Sequence, residues 1–147
     1  MDDTAPTSTV FSLGTTGDSN LNGSNYVAYC FADVAGYQKI GSYTGNDATS
    51  PIYGQFVTTG FEPAFLIVKN STTAGNNWAL FDNKRTNQNL RNKALFPNQN
   101  VANYTTSGGI LFASNGFQVN SGDNFLNADG DTFVYLAIAA NVQSAPS

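Results

Sequence analysis

The stretch Asp131-Thr-Phe-Val-Tyr-Leu-Ala-Ile-Ala-Ala140 decides the fold class of this chain. It contains neither proline nor glycine, and it opens with β-branched and aromatic residues, so it favours a β-strand. Alternate side chains of a strand point to opposite faces. The two faces here are Val134, Leu136 and Ile138, and Phe133, Tyr135, Ala137 and Ala139. Neither face is polar, which predicts a central strand that is covered on both sides.

A second segment near the start of the chain has the same pattern. Residues 21–32 align with residues 126–139 when a gap of two is placed in the turn. The matched pairs are Val27 with Val134, Tyr29 with Leu136, Phe31 with Ile138, Ala28 with Tyr135, Cys30 with Ala137, and Ala32 with Ala139. Upstream, residues 8–13 correspond to residues 114–119. The sequence therefore contains an internal partial repeat, which predicts a second buried central strand over residues 25–34.

The repeat is incomplete at its beginning. Residues 60–140 form a full unit, residues 8–32 match only its second half, and residues 33–59 supply connecting strands. A counterpart of residues 60–85 is missing ahead of residue 8. Two explanations stay open: the chain is part of a longer protein, or it completes its sheets with strands from a neighbouring chain.

The size and composition predict one all-β domain over residues 1–147. Charged residues make up only 11% of the chain, aromatic residues are frequent, and turn residues are abundant. Turn signals at spacings of roughly eight to twelve residues predict a β-sandwich or jelly-roll-like arrangement of roughly eight to ten strands. The predicted strands are residues 9–13, 25–34, 36–45, 52–58, 62–69 and 78–81, a hairpin of 109–113 with 116–120, and the strand from Asp131. Residues 86–106 are polar and rich in asparagine, and we expect a long surface excursion there.

Several classes of protein are disfavoured by the same composition. The net charge of -4 and the isoelectric point near 4.3 argue against a nucleic-acid binder, which presents a basic surface. No apolar stretch approaches the roughly 20 residues of a membrane span. The acidic start, Met1-Asp-Asp-Thr, does not resemble a signal peptide. The single cysteine, Cys30, rules out a disulfide within the chain and is expected to be a small core residue.

The order and spacing of several motifs resemble a known family. These motifs are Tyr26-Val-Ala-Tyr-Cys-Phe-Ala-Asp-Val-Ala-Gly-Tyr-Gln-Lys-Ile-Gly-Ser-Tyr-Thr-Gly-Asn46, Gly60-Phe-Glu-Pro-Ala-Phe-Leu-Ile-Val-Lys69, Trp78, Phe81-Asp82, Arg85, Ser114-Asn-Gly-Phe117 and Thr132-Phe-Val-Tyr-Leu-Ala137. Together they resemble an all-β domain of uncharacterised function that recurs in virion proteins of marine tailed phages. It often stands next to concanavalin-like modules in tail fibre or virion structural proteins. The resemblance implies a virion location and an all-β fold, and it supplies no catalytic motif.

The residues themselves give little sign of catalysis. Histidine is absent, which removes the commonest base for activating a serine or cysteine nucleophile. Paired carboxylates could still serve a glycosidase, and the candidates are Asp33, Glu62, Asp82 and Asp123. Asp82 stands three residues before Arg85, so an ion pair or a turn-capping bond is the favoured interpretation. We therefore expect no enzyme and no cofactor.

Two binding sites are weighed against simpler structural roles. Asp123, Asp129 and Asp131 form the densest group of oxygen ligands, which suits calcium, although aspartates are also ordinary turn residues before a strand. The spacing is not that of an EF-hand. Aromatic side chains on loops can stack on sugar rings, and the candidates are Tyr43, Tyr53, Trp78 and Tyr104. Trp78 is equally suited to the core.

The sequence predicts a non-enzymatic virion structural protein, located on the virion or outside the cell. It would be part of a tail fibre, an appendage or a surface decoration, with other virion proteins and possible host glycans as partners. The incomplete repeat predicts a homo-oligomer or fibre whose subunit interface includes Tyr26, Ala28, Cys30 and Ala32. The alternative is a glycan-binding module for host attachment, and a polysaccharide depolymerase is a distant third.

Overall fold

The computed structural model describes residues 4–50, 52–86 and 89–140, and it divides into two compact units. The first is Met1–Phe31 and the second is Ala32–Ser147. The described residues contain eight strands, all in the second unit: β1 (Gln38–Thr44), β2 (Gln55–Thr58), β3 (Pro63–Asn70), β4 (Ala79–Asp82), β5 (Arg91–Ala94), β6 (Tyr104–Ala113), β7 (Gly116–Asn120) and β8 (Thr132–Ala139). Two four-residue helices accompany them, α1 (Gly17–Asn20) in the first unit and α2 (Asn124–Asn127) in the second.

The eight strands form two four-stranded antiparallel sheets. One sheet has the order β1-β8-β3-β4, and the other has the order β2-β7-β6-β5. We call them sheet A and sheet B. The buried core takes its largest side chains from both sheets: Phe81 and Phe133 from sheet A, Phe112 and Phe117 from sheet B. The predicted all-β class is confirmed, and the arrangement is that of a β-sandwich.

Strand β8 lies in the middle of sheet A, as its sequence predicts. It pairs with β1 on one side and with β3 on the other. Its two faces differ, however. Phe133, Tyr135, Ala137 and Ala139 are buried, whereas on the other face Val134 is 40% exposed and Leu136 and Ile138 are only half-buried. The prediction that both faces are covered is wrong, because each sheet of a two-layer sandwich packs against its partner on one face only.

Tyr43 connects the two sheets and helix α2. The Tyr43 ring on β1 stacks on Phe133 with ring centroids 5.0 Å apart, and it meets Phe117 of sheet B edge-on at 6.0 Å. Its hydroxyl donates a hydrogen bond to the Leu126 carbonyl at 2.6 Å. Two residues earlier, a Cβ on Gly41 would lie 2.8 Å from the Tyr135 hydroxyl oxygen, so a larger residue there would require the Tyr135 ring to shift.

The predicted strands over residues 9–13 and 25–34 are absent from the described structure. Residues 26–31 have no assigned secondary structure and are exposed, and an isolated bridge between Val34 and Gln38 is the only β-pairing in the range 25–34. The exposed set includes Cys30, which is therefore not a core residue. A segment with the apolar pattern of a central strand still needs strands on both sides to bond its backbone. Strand β8 has such neighbours, and its sequence twin does not.

Residues 86–106 are not one irregular excursion. They contain β5 and the first residues of β6, while residues 87 and 88 lie outside the described residues. Arg91 is buried, with its guanidinium carbon 4.7 Å from the centre of the Phe112 ring, and its Nη1 donates to Asn89 Oδ1 at 2.9 Å. This strand was not predicted because its residues are mostly polar. The arginine can nevertheless be buried, because its long side chain covers an aromatic ring.

The remaining predicted strands are present with shifted ends. Residues 36–45, 52–58, 62–69 and 78–81 correspond to β1, β2, β3 and β4, and the predicted hairpin is β6 with β7. Its turn is Ser114-Asn115, as expected. Helix α2 was not predicted, and its buried residues Leu126 and Asn127 close one end of the core.

The asymmetry of β8 gives a direct test. Replacing Phe133 by alanine empties a fully buried ring site and should lower the free energy of unfolding by about 3–5 kcal/mol. The neighbouring change Val134→Ala, on the outer face, should cost less than about 1 kcal/mol. Chemical denaturation of both variants measures this, and equal losses would contradict the assigned faces.

A second test concerns Phe31, which is 59% exposed rather than buried. Phe31→Ala should change the free energy of unfolding by less than about 1 kcal/mol when denaturation is followed in dilute, dispersed protein. A buried aromatic at this position would instead cost about 3–5 kcal/mol. A loss of that size would restore the strand predicted over residues 25–34.

Candidate functional site

Of the four aromatic residues predicted to stack on sugars, Tyr43 is excluded by its position. It lies in the core, and burial raises the pKa of its phenol well above the usual value. One face of its ring stacks on Phe133 of β8, and Phe117 of β7 meets the ring in an edge contact. Its hydroxyl is already bonded to the Leu126 carbonyl. Tyr43 is therefore a structural residue, and its prediction as a surface binding residue is wrong.

Trp78 lies on the surface, directly before β4, and is 41% exposed. It lines a shallow pocket of about 330 Å³ with Ile67, Pro97 and Asn98. The pocket is held by polar contacts at its rim: the Trp78 backbone N–H donates to Asn98 Oδ1 at 3.1 Å, and Asn98 Nδ2 donates to Asn77 Oδ1 at 3.0 Å. The result is an apolar depression with the partly exposed Trp78 side chain in its lining and amide groups at its edge.

A cluster of three aromatic rings is next to this pocket in the sequence. Phe96 stacks on Tyr104 with centroids 5.5 Å apart, and both meet Phe125 edge-on at 5.1 and 5.6 Å. Tyr104 is exposed, whereas the other two rings are half-buried. Since Phe96 directly precedes Pro97 and Asn98, three consecutive residues connect the Tyr104 cluster with the Trp78 pocket.

Tyr53 lies elsewhere on the surface. It is exposed in the turn before β2, and its carbonyl oxygen accepts a hydrogen bond from Asn46 Nδ2 at 2.8 Å. It belongs neither to the Trp78 pocket nor to the three-ring cluster. Of the four predicted aromatic residues, then, the structure brings only Trp78 and Tyr104 into one neighbourhood.

The three aspartates predicted to bind calcium do not form one site. Asp123 Oδ2 accepts hydrogen bonds from the Ser107 backbone N–H at 2.7 Å, the Ser107 hydroxyl at 3.0 Å and the Ser121 hydroxyl at 2.6 Å. Asp131 Oδ2 instead accepts from Asn70 Nδ2 at 2.8 Å, and Asp129 is exposed. Among the described residues, no three acidic, histidine or cysteine side chains are grouped so that they could hold a metal ion.

Three of the four carboxylates considered for a glycosidase, those of Asp33, Asp82 and Asp123, accept hydrogen bonds from nearby groups, and Glu62 is exposed. Partial burial by itself would raise the pKa of Asp82, but hydrogen bonds from the Arg85 guanidinium and from the Lys84 and Arg85 backbone N–H groups lower it. The pKa of Asp33 is lowered by the Ile40 backbone N–H and by Lys39. Both groups are held as anions, which is the opposite of what a general acid requires.

The outer face of sheet A carries a row of apolar side chains. The register places Ile40 of β1, Leu136 of β8, Ile67 of β3 and Leu80 of β4 side by side across all four strands. We call these four residues the outer row. All four are half-buried, and Ile67 also lines the Trp78 pocket. The outer row therefore ends beside the pocket at the β4 edge of the sheet.

The predicted interface residues Tyr26, Ala28 and Cys30 are exposed, as is Ala32 at the start of the second unit. We call residues 26–31 the apolar segment. Within it, Val27 is 79% exposed and Tyr29 is 82% exposed. Among hydrogen bonds to described residues, the segment makes only those of the Tyr26 hydroxyl, which donates to the Gly17 carbonyl at 2.7 Å and accepts from the Leu21 N–H at 3.0 Å. The segment contains no charged residue.

Sequence reasoning missed most of the Trp78 pocket. Pro97 and Asn98 fall in the range that was expected to be a long surface excursion, and Ile67 was predicted only as part of the strand over residues 62–69. The available signal was the apolar run Leu95-Phe96-Pro97 inside a largely polar range. In the part of the chain that the structure describes, no helix is long and apolar enough to cross a membrane.

Comparison with known proteins gives one match. A family model for a domain of unknown function, DUF7483, matches residues 1–141. No curated protein and no solved structure matches the chain. The matched range includes the apolar segment, both sheets and the Trp78 pocket, so it covers nearly all of the 147 residues. The chain therefore belongs to the DUF7483 family.

Proposed function

We propose that this protein is a non-enzymatic structural module of a phage virion that assembles through contacts between copies. The observation that supports assembly is the apolar segment, in which Val27, Tyr29 and Phe31 are mostly exposed. The virion context rests on the sequence resemblance to phage virion proteins. In this proposal the module forms part of a tail fibre, an appendage or a surface decoration, and it contacts other virion proteins and the host surface.

The size of the exposed apolar surface supports a partner. A buried aromatic side chain removes about 150–250 Å² from water, and the segment contains three of them: Tyr26, Tyr29 and Phe31. Covering even a few hundred Å² at about 25 cal/mol per Å² provides several kcal/mol toward association. Contiguous apolar patches of this size on a protein surface mark interaction sites. The net charge of -4 makes two copies repel one another elsewhere, while the segment itself is uncharged.

Light scattering on the purified full chain tests assembly. At micromolar concentration we expect a mass that is a multiple of 15.6 kDa. The double variant Tyr29→Ser with Phe31→Ser should shift the population to monomer, because it removes two exposed aromatic side chains. A matched control, Ile52→Ser with Val101→Ser, changes two similarly exposed apolar residues outside the segment and should leave the mass unchanged. A stable wild-type monomer at tens of micromolar would refute assembly.

Glycan binding is the second candidate function, and the Trp78 pocket favours it. Sugar rings present apolar C–H faces that stack on an exposed indole, and amide groups at the pocket edge suit sugar hydroxyls. Asn98 and Asn77 supply such groups beside the ring. A site of this kind would serve host attachment and would need no catalytic residue. Turnover of a host polysaccharide would instead support the third candidate, a depolymerase.

A glycan array followed by calorimetry tests this site. Trp78→Ala should weaken the affinity for any bound glycan at least about tenfold, since ring stacking and its buried area are lost together. Tyr53→Ala is the matched control, because it removes an exposed aromatic residue that is not part of the pocket. Glycan binding that survives Trp78→Ala, or an array without any saturable binding, would argue against the pocket.

A further inference from the structure

One edge of sheet A is open, and the hydrogen bonds of β1 show which backbone groups face it. At the two ends of the β1–β8 ladder, the Ala139 N–H donates to the Tyr37 carbonyl at 2.8 Å and the Gly45 N–H donates to the Asp131 carbonyl at 2.9 Å. In an antiparallel pair, bonded and non-bonded residues alternate. The odd-numbered residues from 37 to 45 therefore bond to β8. The N–H and C=O groups of the even-numbered residues point away from it.

The start of this edge is occupied by the chain itself. Val34 and Gln38 exchange two backbone hydrogen bonds, at 2.9 and 2.8 Å. If this ladder continued, the Ile40 N–H would next bond to the Ala32 carbonyl. It bonds instead to the Asp33 carboxylate at 2.8 Å, and the Ala32 carbonyl accepts from Gln38 Nε2 at 2.6 Å. The two side chains thus end the ladder after a single pair.

Beyond that point no described residue pairs with the edge. Among the described residues, the backbone N–H and C=O groups of Ser42 and Thr44 make no hydrogen bond, and both residues are exposed. No charged side chain interrupts the stretch from residue 40 to residue 44. Natural proteins usually protect such an edge with charges, a proline or a bulge, and an unprotected edge accepts an added strand.

The apolar segment has the properties of that added strand. Its sequence matches β8, which is the partner of β1 on the other side, and both of its faces are apolar. Its backbone groups from Val27 to Phe31 make no hydrogen bond among the described residues. The segment and residues 40–44 of the edge carry no charged side chain, so neither adds to the repulsion between two copies that each have a net charge of -4. The segment and the open edge can therefore supply each other with backbone hydrogen-bond partners, and their contact would cover apolar side chains of the segment.

We propose that the apolar segment of one copy adds to the open β1 edge of a second copy and extends its sheet A by one antiparallel strand. This inference rests on the proposed assembly function. In the proposed register Cys30 lies opposite Ser42 and Ala28 lies opposite Thr44, so that the outward-facing N–H and C=O groups of both β1 residues gain partners. Each of these two pairs exchanges two backbone hydrogen bonds.

The arrangement fits the area that a stable contact needs. Stable complexes bury roughly 1,200–2,000 Å² in total. One added strand with three aromatic side chains, together with the surface it covers, supplies roughly half of that. Two copies that exchange segments reciprocally reach the range and form a closed dimer. If each copy instead adds its segment to the next copy in a head-to-tail arrangement, the copies form an open fibre.

Disulfide cross-linking between two different chains tests the register. One chain is the natural sequence, whose only thiol is Cys30. The other carries Cys30→Ser with Ser42→Cys, so its only thiol lies on the β1 edge. After mixing and mild oxidation, we expect the mixed disulfide to exceed either self-disulfide several-fold on a non-reducing gel, because paired residues lie within disulfide range. The matched control replaces Ser42→Cys by Thr58→Cys, which puts the thiol on the exposed edge strand of sheet B.

The results separate this inference from the proposed function. A mixed disulfide no more abundant than with the Thr58 control would overturn the strand addition. If light scattering still shows an oligomer, assembly stands and only its mode is wrong. In a single chain that carries both Cys30 and Ser42→Cys, a disulfide confined to the monomer would show the segment on its own β1, which also overturns the proposal.

A backbone variant gives an independent readout. Ser42→Pro removes an N–H that points to the open edge, and proline is tolerated at such a position of an edge strand. It should weaken association about tenfold, as expected when an interface hydrogen bond is lost and the added strand is displaced. Ser42→Ala keeps the N–H and should associate like the natural chain. Equal association of the two variants, with unchanged circular dichroism, would contradict strand addition.

Discussion

The sandwich depends on the stack of Tyr43 on Phe133. These two rings sit on neighbouring strands of sheet A, and Tyr43 also meets Phe117, so one side chain fixes the spacing between the two sheets. Its buried hydroxyl needs a hydrogen-bond acceptor, because an unpaired polar group in the core is costly. The Leu126 carbonyl supplies that acceptor and so fixes α2 against the end of the core. Tyr43 therefore contributes to the packing within sheet A, to the packing between the two sheets and to the position of α2.

The direction of β8 follows from the same contact and determines the outer surface. With Phe133 and Tyr135 turned inward, Val134 and its alternating neighbours must point outward. An apolar outer face is the result, and it runs from the open β1 edge to the Trp78 pocket. The functional surfaces proposed for this domain are thus a direct consequence of how its core is packed.

Much of the sandwich could be predicted from the sequence, because period-two patterns and turn residues are local signals. They located β3, the β6–β7 hairpin and β8. They could not assign the inner face of β8, since both of its faces are apolar. Strand β5 was not predicted because a charged residue such as Arg91 indicates an exposed segment. In the structure, however, the Arg91 side chain lies over the Phe112 ring.

The sites were harder to predict than the strands because each depends on distant parts of the chain. The Trp78 pocket needs Ile67 and Pro97, which come from different strands and loops. The sequence of residues 25–34 describes a good strand, but a strand forms only where a partner offers backbone groups. The aspartates predicted to bind calcium are separated for a related reason: Asp123 accepts hydrogen bonds from Ser107 of β6 and from Ser121, whereas Asp131 accepts one from Asn70 at the end of β3.

The outer row has a further geometric consequence. It spans four strands, so the β1 edge and the β4 edge are separated by three strand spacings, or about 14 Å. A copy joined at β1 leaves the Trp78 pocket uncovered at the far edge. Every copy added to a dimer or fibre would then bring one more accessible pocket. Weak affinity for a single sugar would be multiplied by avidity on a host surface that displays many of them, without any new contact inside the domain.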